Sequence, residues 1–231
     1  MAELGKLIGI KFHETGEPKL YPGNTVIADI DEKNPAHAVV LEVCRRLKQQ
    51  KLDKFFILLP SDSYHITVIR GVNDRVRTPD FWPPALDVSA AMEEADRFIA
   101  RCVAAVPNPG RLHMKFAGLA IDDSDFRIVV APAFAEEEQK IRSYRDAVAQ
   151  SIGLRLPGHD EYRFHITVAY TQYVPKGAEQ EKLQEFCHGV NRYLAGCPAF
   201  YTTPPYMAFY NDMCFFSSRY LPRTTHDNIG R

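Results

Sequence analysis

Two histidines and two threonines recur in one short pattern, 100 residues apart. Ser63-Tyr64-His65-Ile66-Thr67-Val68-Ile69 and Arg163-Phe164-His165-Ile166-Thr167-Val168-Ala169 both read polar, aromatic, His, Ile, Thr, Val, apolar. In an extended strand successive side chains point to opposite faces. His65 therefore shares a face with Thr67, and His165 with Thr167. The aromatic, Ile and Val positions turn the other way and anchor each strand to a core. Imidazole and hydroxyl then stand about 6–7 Å apart along each strand. With an ordinary pKa of about 6.5, one histidine can take a proton from an attacking water or hydroxyl and the other can give one to a leaving oxygen. Two threonine hydroxyls can donate hydrogen bonds to phosphoryl oxygens as charge develops there. Base, acid and oxyanion clamp are what cleavage of a phosphodiester needs, and none of them requires a metal. One His-x-Thr strand alone would pass as packing, since a lone His or Thr on a strand is ordinary. The second copy points to function, because packing would not ask for the same His twice.

Other residues carry weaker signals. Arg163 precedes His165 by two positions, on its face if the strand is regular there, and could contact phosphate; a surface cation at a strand edge explains it equally well. Ser63 takes the equivalent place before His65 and adds at most a hydrogen bond. Arg70 follows the first motif on the opposite face, unless the strand ends or bulges there. Lys115 and Arg127 would make a cleft basic, although a solvated sheet face accounts for either. Asn24 and Thr25 open the first strand, where turn chemistry suffices to place them. Tyr170 and Tyr210 could stack on a base, yet with 11 Tyr and 14 Phe in the chain packing is their default. His13, His37, His113, His159, His188 and His226 form no HxH, HxxxH or HExxH spacing, so no metal site is expected. Phosphate-binding and dinucleotide glycine loops are absent, and no cofactor is expected.

The motif strands must be held by the elements around them. Residues 1–23, rich in Gly, Pro, Lys and Glu up to Tyr21-Pro22-Gly23, read as an arm outside the core, followed by a single domain over 24–231. Thr25–Ile30 reads as a strand. Asn34-Pro35 opens a helix bearing Val39, Val40, Val43 and Leu47. Strands Lys54–Leu59 and Tyr64–Ile69 follow. Asp87 is placed to cap a helix with Met92, Ala95, Phe98, Ile99, Cys102 and Val106 on one face. Leu112–Ala120 and Phe126–Ala131 read as strands paired around Asp122–Asp125. A third helix carries Phe134, Ile141, Tyr144, Val148 and Ile152 and stops at Gly153. The second motif strand, Tyr162–Tyr170, leads to a helix with Leu183, Phe186, Val190 and Leu194 that ends at Gly196. Pro205–Tyr210 and Cys214–Phe216 read as a hairpin. Strands joined by short turns and mixed with helices predict an α+β fold: two pseudo-symmetric lobes of mainly antiparallel sheet, helices on the outer faces, a cleft between.

The bulk numbers agree with such a domain. A chain of 231 residues, 45% hydrophobic and 25% charged, can build a sizeable core. A net charge of −1 excludes bulk electrostatic attraction to nucleic acid while leaving room for a local basic cleft. Five cysteines, an odd number without a CxxC pair, read as buried reduced thiols of a cytoplasmic protein. No apolar run approaches the ~20 residues of a membrane span, and no signal peptide is recognisable.

On its two His-x-Thr strands the chain resembles the 2H phosphoesterase superfamily, named for paired His-x-Thr/Ser motifs with hydrophobic residues between and after. That superfamily includes bacterial and archaeal RNA 2′,3′-cyclic phosphodiesterases, plant cyclic nucleotide phosphodiesterases and related nucleotide-binding domains. The resemblance runs from about Thr25 to Phe216, with His65, Thr67, His165 and Thr167 filling the four motif positions. Tyr21-Pro-Gly-Asn-Thr-Val26 and Phe81-Trp82-Pro83 look like a less characterised bacterial and fungal branch. The resemblance implies a bilobal fold with the motifs lining a central cleft. It implies a metal-independent phosphodiesterase acting on a nucleotide or RNA-end phosphodiester, such as a 2′,3′-cyclic phosphate; a monomer with no membrane partner is expected. His65 and His165 would be catalytic, in either assignment of acid and base, and Thr67 and Thr167 would hold phosphate. It also permits a non-catalytic nucleotide- or RNA-end-binding domain, or a ligase in which a hydroxyl replaces water.

Overall fold

A computed structural model describes residues 3–223. Its helices are α1 (Pro35–Gln49), α2 (Met92–Ala104), α3 (Ala135–Ile152) and α4 (Ala178–Ala195). Its strands are β1 (Gly23–Asp29), β2 (Phe56–Leu58), β3 (His65–Asn73), β4 (His113–Ile121), β5 (Asp125–Pro132), β6 (His165–Thr171), β7 (Phe200–Tyr201) and β8 (Tyr206–Tyr210). They form one open sheet in the order β7-β4-β5-β6-β3-β1-β8, with β2 laid against β6. Every strand pair is antiparallel. The fold is α+β, as expected.

The two motif strands are neighbours at the centre of this sheet, where its halves meet. Their one registered pair is Ile66 with Ile166. Ile66, Val68, Ile166 and Val168 are fully buried, and they share a single core with Val40, Val43 and Leu47 of α1, Ile141 and Val148 of α3, and Phe186 and Val190 of α4. Burying a Val or Ile side chain contributes about 1.5–3 kcal/mol, so the apolar face of each motif is what fixes its polar face. Gly71, in β3, sits where a methyl group would run into the backbone and side chain of Asn24, so β1 can lie against it only without a Cβ there.

Local sequence rules account for two of the helix ends. Asn34 caps α1, its Oδ1 accepting from the Ala36 amide at 3.0 Å. Gly153 ends α3 in the left-handed conformation, φ 73°. Asp87 does not cap α2, which starts at Met92. Instead its carboxylate folds back onto the Ser89 amide and hydroxyl, and its carbonyl accepts from Trp82 Nε1 at 3.0 Å. Lys54 lies in a 3₁₀ turn rather than a strand. Cys214–Phe216 forms no strand; Ser217 alone bridges back to Phe209. Of the five thiols Cys44 is buried, while Cys102, Cys187, Cys197 and Cys214 are half-buried and all are free. Among the described residues no helix is long and apolar enough to cross a membrane.

The N-terminal segment departs most from expectation. Phe12 is fully buried and belongs to the core, with its ring 4.9 Å from that of Tyr170. The Gly5 amide donates to Gln172 O at 3.0 Å, and the Tyr21 amide to Asn211 O at 2.7 Å. This segment is stitched to both halves of the sheet and helps wall the cleft.

Candidate active site

The Ile66–Ile166 pair dictates the site. Carrying its antiparallel register one residue further in each direction sets His65 across from Thr167 and His165 across from Thr67. Each imidazole thus faces the other strand's hydroxyl, and the two histidines lie on a diagonal, about 7–8 Å apart at Cα. That leaves space for a phosphoryl group between them. All four side chains line one cavity of about 390 Å³. Arg70, Lys11, Asp125 and a set of aromatics, among them Tyr21, Phe81, Tyr162, Tyr170, Tyr210 and Phe216, complete its wall.

Both imidazoles are oriented in the same way. His65 Nδ1 lies 2.7 Å from the Ser63 carbonyl, and His165 Nδ1 2.9 Å from the Arg163 carbonyl. A carbonyl only accepts, so Nδ1–H is the donor and Nε2 keeps its lone pair for the cleft. Aromatic rings steady each imidazole from the side: Phe216 is 4.3 Å from His65, and Tyr162 is 6.1 Å from His165, centre to centre. Tyr162, in the loop before β6, lines the cavity together with Thr67 of β3.

Burial lowers the pKa of both rings. His65 is pushed down to about 4, burial outweighing its bond to Ser63, with His165 lowering it further. His165 is also lowered by burial, and the Arg163 carbonyl and Asp125 oppose that shift. Both rings are therefore neutral at pH 7, and an anion seated between them favours charging one. Sulfate binding at pH 7 should take up about one proton per site. Calorimetry in two buffers of different ionisation enthalpy reads this directly; heats independent of the buffer would contradict it.

The weaker sequence candidates divide. Tyr170 and Asn24 line the cavity, but Asn24 is buried, donating to Asp96 Oδ1 at 2.9 Å and accepting from the Val72 amide at 3.0 Å. Ser63 and Arg163 act through their carbonyls; their side chains do not line the cavity. Both motif strands begin at the histidine, so the residue two before it is not on a regular strand. The Ser63 hydroxyl donates to Pro60 O at 2.7 Å. Lys115 is exposed on β4, two strands from β6, and lies outside the cavity. Arg127 is held in ion pairs with Asp122 and Asp125. Arg70 does reach the cavity, donating to Pro157 O at 2.8 Å. Tyr210 lines it as well. Lys11, Tyr21, Asp125, Tyr162 and Phe216 were not foreseen from the sequence as site residues. Only Tyr162, an aromatic three residues before His165, had a local signal.

A family model labelled 2H-phosphodiest and described as a domain of unknown function (DUF1868) matches residues 11–124, which include the first His-x-Thr strand. No curated protein matches the chain. Among solved structures, the conserved protein of unknown function ATU0111 from Agrobacterium tumefaciens str. C58 superposes with a TM-score of 0.84 at 24% identity, over 94% of this chain and 92% of that one. The fold is thus shared along almost the whole length. Escherichia coli LigT in its apo form gives a TM-score of 0.44 at 11% identity, over 83% of this chain and 88% of its own. TT0787 of Thermus thermophilus gives 0.42 at 13%, over 80% and 85%.

Proposed function

We propose that the chain is a 2H phosphoesterase, whose family model matches residues 11–124, and that it hydrolyses a 2′,3′-cyclic phosphate, or a similar cyclic or RNA-terminal phosphodiester, by two-histidine acid–base catalysis without a metal. The supporting observation is the crosswise set of two imidazoles and two hydroxyls around one cavity, both rings held with Nε2 free. Thr67 and Thr167 hold the phosphoryl oxygens. One imidazole takes a proton from water as it attacks phosphorus; the other, as imidazolium, protonates the leaving ribose oxygen. Asp125, on the strand beside β6, favours the charged form of His165. Among the described residues no carboxylate does this for His65, whose partners are a carbonyl and the other imidazole. His165 is accordingly the acid and His65 the base.

The leaving group tests the assignment. p-Nitrophenolate departs without a proton, so His165→Ala should stay within about tenfold of wild type on bis(p-nitrophenyl) phosphate while failing on 2′,3′-cyclic nucleotides. His65→Ala should fail on both. The opposite asymmetry would exchange the two roles. Wild type that turned over no member of a panel of cyclic and linear phosphodiesters would overturn the function itself.

A further inference from the structure

We propose that Lys11 is a substrate-binding residue: its ammonium, carried into the cleft by the N-terminal segment, contacts the phosphoryl oxygens and offsets the charge that builds on them. The inference rests on the phosphodiesterase reading for the reaction, but not for the binding of an anion.

Lys11 lines the same cavity as the two motifs. Its position is not that of a loose side chain. The next residue, Phe12, is locked in the core, the Lys11 amide donates to Leu7 O at 2.9 Å, and its carbonyl accepts from the Lys19 amide at 2.8 Å. The ammonium lies 3.4 Å from the Tyr170 hydroxyl and over the rings of Tyr170 and Tyr21, at 5.1 and 5.3 Å from their centres. Aromatic faces and a phenol can hold a cation in place but supply no counter-charge. Among the described residues Asp125 is the carboxylate whose field reaches Lys11, with no hydrogen bond between them, and Arg70 opposes it. A half-buried ammonium with no ion-pair partner among the described residues, beside four groups suited to phosphate, lacks an anion that a phosphodiester would supply.

The groups facing Lys11 are Tyr21 on its own segment, Tyr170 and His165 on β6, Asp125 on β5 and Arg70 on β3. Burial dominates and brings the amine down to about 8. Its folded pKa lies below the ordinary 10.5, so the charge is present below pH 8 and lost above it. Anion affinity should fall in the same range.

Sulfate is the probe, since its binding requires no turnover. Lys11→Met should weaken sulfate binding at pH 7 by about tenfold to a hundredfold, the size of one charge-assisted hydrogen bond. Wild-type affinity, which already falls with pH because binding protonates a histidine, should fall more steeply above pH 8, and the variant should keep only the histidine slope. Lys11→Arg should restore part of the affinity and move the step upward. Where phosphodiester turnover is measured, kcat/KM should show the same alkaline limb and the same rescue. Sulfate affinity within twofold of wild type in Lys11→Met, or a wild-type pH slope that does not steepen through pH 8–9, overturns the proposal. The second of these needs no variant to fold. Sulfate binding that depends on Lys11 in a protein with no turnover would uphold this site while defeating the phosphodiesterase reading; turnover indifferent to Lys11 would do the reverse.

Discussion

His65→Ala is expected to lower kcat on a 2′,3′-cyclic phosphodiester by about 10²–10⁴-fold, with KM changed far less. In the proposed mechanism the imidazole acts on a proton in flight in the transition state, so its loss is felt there and hardly in the bound substrate. A base pushed down to about 4 is fully unprotonated at pH 7, so the whole population is ready to accept a proton. The His65→Ala, His165→Ala double variant should fall little below the worse single one, because both imidazoles serve one concerted step. Multiplied losses would mean that the two act in separate steps. Turnover near wild type in the double variant would remove acid–base catalysis by this pair altogether. Thermal melts of each variant separate lost chemistry from lost fold, and the histidines are half-exposed residues on the polar side of their strands, where truncation leaves the core intact.

The core of this site was legible in the sequence because it is written in local rules. Alternation along a strand is enough to put His65 with Thr67 and His165 with Thr167, and the fully buried Ile66, Val68, Ile166 and Val168 obey the same alternation. The Asn34-Pro35 start and the Gly153 stop are local too, and both mark real helix ends. What failed depended on where strands begin and which strands adjoin. Alternation extended back to Ser63 and Arg163 assigned work to side chains, whereas β3 and β6 start at the histidines and it is the preceding carbonyls that orient the rings. Lys115 looked basic and near; the sheet order sets it two strands away. Lys11 and Phe216 come to the cleft from segments at opposite ends of the chain, through contacts that no periodicity encodes. Phe12 was hidden for a related reason: one buried aromatic in a stretch of Gly, Pro and Lys shows no repeat, yet it fastens that stretch to the core.

Asp96→Ala is expected to destabilise the protein by about 3–5 kcal/mol, read from urea unfolding. Asp96 and Arg223 have side chains 1% and 3% exposed and form a bidentate pair, Oδ2 accepting from Nη2 at 2.6 Å and from Nε at 2.8 Å. The same guanidinium donates to Tyr210 O at 2.6 Å, Asn211 Oδ1 at 2.9 Å and Gly23 O at 3.0 Å. Asn24 donates to the carboxylate's other oxygen. One buried ion pair thus joins α2, the start of β1, the end of β8 and the C-terminal segment behind the cleft wall that carries Tyr210. Removing the carboxylate strands a buried cation, which costs far more than the pair contributes. Replacing both partners, Asp96→Leu with Arg223→Met, should recover most of the loss, since neither charge is then left alone. A loss below about 1 kcal/mol in Asp96→Ala would show that water reaches the guanidinium and that the pair is a surface contact. The network also decides how Asn24 should behave. Its amide is spent on Asp96 and the Val72 amide, so Asn24→Ala should lower the melting temperature while anion affinity at the histidines holds; a substrate contact would give the reverse.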